Sequence, residues 1–260
     1  MSRPLYAFIC FGLICIGACK NHQEQEKLLI AVAGNMALPA KEVVAAYEHQ
    51  YNTKVNMTIS SSGKLTHQIL NGAPFDIFIS ADEQYPQVLQ KRGVTSGKPV
   101  RYAQGQLVLW TIKEIDSKRP ADHVRAVLEN GGKLVVPNPD IAPYGRAAVQ
   151  FLRANGLWEA FEQQFVIADG VSQTNHFIAT AGLQAGLTAR SSQEMLQGKE
   201  NGHWFNISPE DYEPIFQSAV LVNRHQSARQ KKEAKDFLDF LKDEQVLSIL
   251  KRYGYLTQDL

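Results

Sequence analysis

The sequence predicts an α/β protein in two lobes, each a mainly parallel sheet flanked by helices, with two strands crossing between them. Three strand-loop-helix units follow one another between Leu28 and Leu89, a pattern that sets parallel strands side by side and places ligands at their carboxyl ends. Two later stretches, Tyr102 to Ile112 and Ala219 to Val222, read as the crossing strands. About 230 residues follow the leader, enough for two lobes of ordinary domain size.

The leader is set apart by composition. Arg3 supplies a small positive charge, Leu5 to Ala18 is apolar, and Ile16-Gly17-Ala18-Cys19 has the form of a bacterial lipobox. A membrane span needs roughly 20 apolar residues, and this run stops at Lys20. Residues 1–18 are therefore expected to be a lipoprotein signal peptide and Cys19 the lipidated residue; a plain signal peptide or an uncleaved anchor is the alternative. All three cysteines, Cys10, Cys15 and Cys19, lie in this segment, which leaves none for a disulfide or a thiolate metal site. Residues 19–27 are mostly polar and aperiodic and read as a flexible tether. The expectation is an exported monomer, lipid-anchored to a membrane and facing the periplasm or cell exterior.

The first lobe opens with Leu28 to Ala33, a continuous apolar run that suits a strand covered on both faces. Gly34-Asn35 ends it, and Val43, Val44, Ala46 and Tyr47 mark a helix that starts within two residues of Pro39, since proline fits a first turn but not a helix interior. Val55 to Ile59 is a second strand. Ser60, Ser61, Ser62 and Gly63 then form a loop opening a helix with Leu65, Ile69 and Leu70. Such a helix start offers free backbone N–H groups and the positive end of the dipole, an anion site that needs no basic side chain. Gly72-Ala73-Pro74 stops this helix, Phe75 to Ile79 is a third strand, and Ser80-Ala81-Asp82-Glu83 reads as a capping box before the helix carrying Val88 and Leu89.

Beyond the first crossing strand, Lys133 to Val136 is a strand leading into Pro137, Pro139 and Pro143, which forbid regular structure until a helix begins near Gly145. Tyr144 and Gly145 sit at its start. Trp158, Phe161 and Phe165, spaced three and four apart, read as core. Phe165 to Ile167 is another strand, followed by Ala168-Asp169-Gly170-Val171-Ser172-Gln173 and a helix with Phe177, Ile178 and Ala181. Ala228 to Tyr253 reads as one long amphipathic helical segment. The expected division is 28–103 plus 224–260 for the first lobe and 104–223 for the second.

A formal net charge of +1 gives no nucleic-acid footprint. The seven histidines show no close metal-ligand pairing, and no cofactor is expected. Ser61-Ser62-Gly63-Lys64 matches S-x-x-K and raises a serine acyl-transfer enzyme using Ser61 and Lys64 as an alternative, although the companion motifs S-D-N and K-T-G are missing. Lys64 and Arg146 lie beside two of the loops and are expected to face solvent; Asp140 and Asp169 are expected to be caps.

In order along the chain, AVAGN (31–35), ISSSGKLTHQILNGAPFDIFISAD (59–82), PNPDIAPYG (137–145), DGVSQT (169–174) and ILKRYGY (249–255) resemble the periplasmic molybdate-binding proteins of molybdate ABC importers. The resemblance implies a periplasmic-binding-protein-like fold that closes on a tetrahedral oxyanion, molybdate and with it tungstate, and delivers it to an importer permease. It places the anion contacts on Asn35, Ser62, Tyr144 and Val171. A further contact, a tyrosine in some members, falls at Ala189, where this chain has no side-chain donor. A binding protein for sulfate or another small oxyanion is the nearer alternative.

The chemistry agrees. Molybdate and tungstate are fully deprotonated dianions at neutral pH, so an ideal wall presents only donors. Hydrogen bonds to a charged group contribute roughly 1.5–3 kcal/mol each. Five to seven of them, less several kcal/mol for ordering and closure, reach the ~8 kcal/mol of micromolar binding. Monohydrogen phosphate brings a proton that such a wall leaves unpaired, whereas sulfate must be rejected by size.

Overall fold

The computed structural model describes residues 27–180, 182–196, 202–224 and 226–258. The signal segment, Cys19 and all of the tether but Lys27 lie outside the described residues. In chain order the elements are β1 (Leu28–Ala33), a 3-10 turn (Gly34–Met36), α1 (Pro39–Tyr51), β2 (Val55–Ser60), α2 (Ser62–Leu70), β3 (Ile77–Ser80), α3 (Gln84–Lys91), β4 (Thr95–Gly105), β5 (Leu107–Thr111) and α4 (Pro120–Glu129). They continue with β6 (Leu134–Pro137), α5 (Pro143–Ala154), β7 (Phe165–Ala168), α6 (Val171–Thr180), β8 (Ala185–Ala189), α7 (Gln193–Leu196), β9 (His203–Asn206), β10 (Ile215–Val222), α8 (Ala228–Phe240) and α9 (Glu244–Arg252).

These strands form two five-stranded sheets, ordered β2-β1-β3-β10-β4 and β7-β6-β8-β5-β9. Both are mixed. In the first, β1 runs parallel to β2 and β3, while β10 lies antiparallel between β3 and β4. In the second, β6 is parallel to β7 and β8, and β5 is antiparallel to β8 and β9. The continuous apolar run of β1 is explained by its place inside the first sheet, with Leu28, Ile30 and Val32 packed on one face beside α1, α8 and α9 and Ala31 on the other beside α2. α1 begins at Pro39 as expected.

Several boundaries differ from the sequence reading. Tyr102 to Ile112 is not one strand: β4 ends at Gly105 and β5 begins at Leu107, so Gln106 is the point of passage between sheets. The return strand starts earlier, at Ile215, and pairs wholly within the first sheet, so the second passage precedes Ile215. The C-terminal segment is two helices, broken at Leu241–Asp243. At the start of α3 the cap is Asp82, whose Oδ1 accepts from the Tyr85 N–H at 3.1 Å and from Ser80 Oγ at 3.1 Å. Glu83 instead pairs with Arg101 at 2.8 Å, so the anticipated Ser80–Glu83 capping box does not form. α4 and β9 had no clear signal in the sequence.

A buried carboxylate ties the first sheet to the loop after β10. Asp76 is fully buried; its Oδ2 accepts from the Leu29 N–H at 2.7 Å and its Oδ1 from Arg224 Nε at 2.7 Å. Asp76→Ala is expected to lower unfolding free energy by about 2–3 kcal/mol in urea titration, less than for a fully buried pair because Arg224 stays partly hydrated.

Candidate functional site

Four strand-helix junctions meet in the cleft between the sheets. Ser62 is the first residue of α2, Val171 the first of α6, Tyr144 the second of α5, and Asn35 the middle of the 3-10 turn after β1. The first N–H groups of a helix have no acceptor inside it and lie at the positive end of its dipole. α2 is further ordered by Ser61, whose hydroxyl accepts from the Lys64 N–H at 3.4 Å.

Glycines let these junctions come together. A Cβ on Gly34 would lie 2.6 Å from Ser172 Oγ, one on Gly63 2.9 Å from Ile141 Cα, and one on Gly170 3.1 Å from Ser61 Cβ. The Gly63 N–H donates to the Ile141 carbonyl at 2.9 Å, and the Tyr85 hydroxyl to the Asp140 carbonyl at 3.0 Å. The two lobes are thus in contact around the site. Between them is a cavity of about 170 Å³ whose lining includes Gly34, Ser61, Lys64, Asp169, Val171 and Ser172. Of the four expected contacts only Val171 is on that lining; Asn35, Ser62 and Tyr144 are buried.

The hydroxyl of Ser62 accepts from the Ala81 N–H at 3.1 Å, which leaves its own hydrogen to donate. Asn35 is placed differently from the simple donor expected of it. Its Nδ2 donates to Gln217 Oε1 at 2.7 Å and to Tyr255 Oη at 2.8 Å, so both carboxamide hydrogens are engaged inside the protein. Its carbonyl accepts from Ser191 Oγ at 2.7 Å and Tyr255 Oη at 3.1 Å. The Tyr144 ring is buried beside the same cluster. Burial pushes the Tyr144 and Tyr255 phenols well above their ordinary range, so both remain protonated O–H donors.

Gln217, Tyr255 and Ser191 went unrecognised in the sequence. Gln217 and Tyr255 are 182 and 220 residues from Asn35, and only Tyr255, inside the RYGY run, stood in a motif. Ala189, where some members have a tyrosine, is fully buried; the Ser191 and Tyr255 hydroxyls donate to the Asn35 backbone carbonyl.

The charged neighbours also differ from expectation. Lys64 does not simply face solvent: it pairs with Asp169 across the mouth of the cleft, both ends remaining largely exposed. Arg146 likewise bridges the lobes, pairing with Asp82, which burial pushes upward against the lowering effects of the Tyr85 N–H and Arg146. Neither aspartate side chain is the expected cap at its loop; the Asp140 N–H donates to Asn138 Oδ1 at 2.9 Å and the Asp169 N–H to Gln173 Oε1 at 2.6 Å. For acyl transfer, the Lys64 ammonium would have to meet Ser61, yet only its backbone N–H does so. Among the described residues no group of three or more His, Cys, Asp or Glu could hold a metal ion, and no helix is long and apolar enough to cross a membrane.

A family model described as bacterial extracellular solute-binding protein matches residues 28–256. The molybdate-binding protein ModA of Azotobacter vinelandii is 36% identical over 233 residues, covering 88% of this chain and 89% of that protein. ModA of Rhodobacter capsulatus is 34% identical over 233 residues, 89% of each. The solved structure of the Azotobacter vinelandii periplasmic molybdate-binding protein superposes with a TM-score of 0.78 at 31% identity, covering 88% of this chain and 99% of that one.

Proposed function

The chain belongs to the bacterial extracellular solute-binding protein family, and from that premise we propose that it captures molybdate, and tungstate with it, in the interlobe cleft and delivers the anion to an ABC importer permease. It is a solute-binding protein and not an enzyme, like the ModA proteins it matches. The observation that carries the oxyanion reading is the meeting of the turn after β1 with the starts of α2 and α6 around one cavity, where serine hydroxyls and helix-start N–H groups can donate; the choice of molybdate among oxyanions is supported by the likeness to the ModA proteins.

In this reading Ser62 gives its hydroxyl and backbone N–H, and Tyr144 and Val171 give backbone N–H groups. Asn35 contributes through its backbone, its carboxamide being engaged by Gln217 and Tyr255. Lys64 and Asp169 neutralise each other at the mouth, so no net side-chain charge opposes a dianion there. Lipid anchoring at Cys19 and a monomeric state complete the proposal.

The test is calorimetric titration of the lipid-free protein with molybdate, tungstate, sulfate and phosphate. Molybdate and tungstate are expected to bind at micromolar concentration or tighter, and sulfate and phosphate roughly tenfold or more weaker. Equal affinity for sulfate and molybdate would remove the choice of solute.

A further inference from the structure

Gln217 sits on β10, fully buried, and every hydrogen-bonding atom of its side chain is engaged. Its Nε2 donates to the Ala81 carbonyl at 3.1 Å and to the Ile215 carbonyl at 3.1 Å. With both amide hydrogens so used, the side chain cannot flip, and Oε1 is the atom presented to Asn35 Nδ2 at 2.7 Å. The Ala81 residue whose carbonyl it holds is also the one whose N–H donates to Ser62 Oγ. One side chain therefore governs both anion-site residues of the first lobe: Asn35 directly, and Ser62 through the Ala81 peptide. It does so from a strand directly beside the passage between lobes, since Ile215 pairs with Gly105 at the end of β4.

We propose that Gln217 is a positioning residue for anion binding, fixing the Asn35 turn and the Ser62 hydroxyl from β10 without touching the anion. This rests on the anion-binding reading above. In it, the acceptor and the two donors of one carboxamide set the direction of groups on two separate junctions, so a bound anion and β10 share a single hydrogen-bonded circuit. Tyr255 is the second support, since its hydroxyl takes the other Asn35 hydrogen at 2.8 Å. A carboxylate or thioether at position 217 cannot reproduce the circuit, because neither donates to Ala81 and Ile215.

The experiment compares Gln217→Met, close in volume but without the donors, with Tyr255→Phe and with Ser218→Ala, whose buried hydroxyl has no partner among the described residues. Each is measured for molybdate affinity and for the rise in Tm produced by saturating molybdate. Gln217→Met is expected to weaken molybdate binding roughly tenfold or more and to shrink the ligand-induced rise, Tyr255→Phe to weaken it roughly threefold or more, and Ser218→Ala to do neither. A residue of merely structural importance would lower the Tm of the free and loaded protein alike and leave the difference unchanged; that result, or affinity within twofold of the unaltered protein in both Gln217→Met and Tyr255→Phe, overturns the proposal. If Gln217→Met does not fold, Tyr255→Phe alone decides. No molybdate binding by the unaltered protein would overturn the functional reading and this role together.

Discussion

Gly105→Ala is expected to weaken anion binding by roughly 5- to 150-fold while leaving the protein folded. Gly105 ends β4 at the passage between sheets, and a Cβ there would overlap the Tyr144 hydroxyl and come within 3.0 Å of Gln217 Nε2. Tyr144 is 1% exposed and cannot rotate aside within the closed arrangement. The added methyl therefore acts on closure: α5 must stand off from the first lobe to admit it. Overpacking of this kind costs about 1–3 kcal/mol, and a penalty confined to the closed form reduces apparent affinity by the same free energy. Calorimetry reads the affinity, and solution scattering should show a larger radius at sub-saturating anion. An unchanged dissociation constant would mean that Tyr144 is not held against the passage when the anion binds.

Ser62→Ala and Asn35→Ala are expected to fail in different ways. Removing the Ser62 hydroxyl takes away a donor to a charged ligand, worth roughly 1.5–3 kcal/mol of binding, and leaves the Ala81 N–H unpaired, worth about 1 kcal/mol of stability. Affinity should dominate. Removing the Asn35 carboxamide strands Gln217 Oε1 and leaves Tyr255 short of a donor, both in the buried interior. Stability should fall by about 2–3 kcal/mol and affinity with it, because the junction it anchors is no longer fixed. Denaturant titration and calorimetry on the two variants separate these outcomes; a stable Asn35→Ala protein with only an affinity defect would show that the carboxamide turns to the anion on binding.

Much of this was legible in the sequence because it is written locally. A β1 run without a polar residue, a proline at a first turn, and glycine beside serine at a strand-helix junction each have one physical reading, and the structure agrees at Pro39, Ser61 and Ser62. What escaped was set by distance. The resemblance made Asn35 an anion contact; Gln217 and Tyr255, which take its carboxamide hydrogens, reach it only once the first sheet is assembled. Lys64 looked solvated for the same reason, its partner Asp169 being 105 residues away on the other lobe. Gln106 was missed as a break although Gly105 stands beside it, because the residues on either side read as one strand and only the change of sheet divides them.

The placing of β10 has a consequence for how the protein is made. β1, β2 and β3 share their sheet and core with a strand at 215–222 and helices ending at Arg252, and Leu256 pairs with Gln104. The opening third of the polypeptide thus has no way to finish its own interior while the ribosome is still extending it. Such delay keeps a secreted chain threadable until its final residues have emerged, and it makes the last dozen positions a poor place for fusion or trimming.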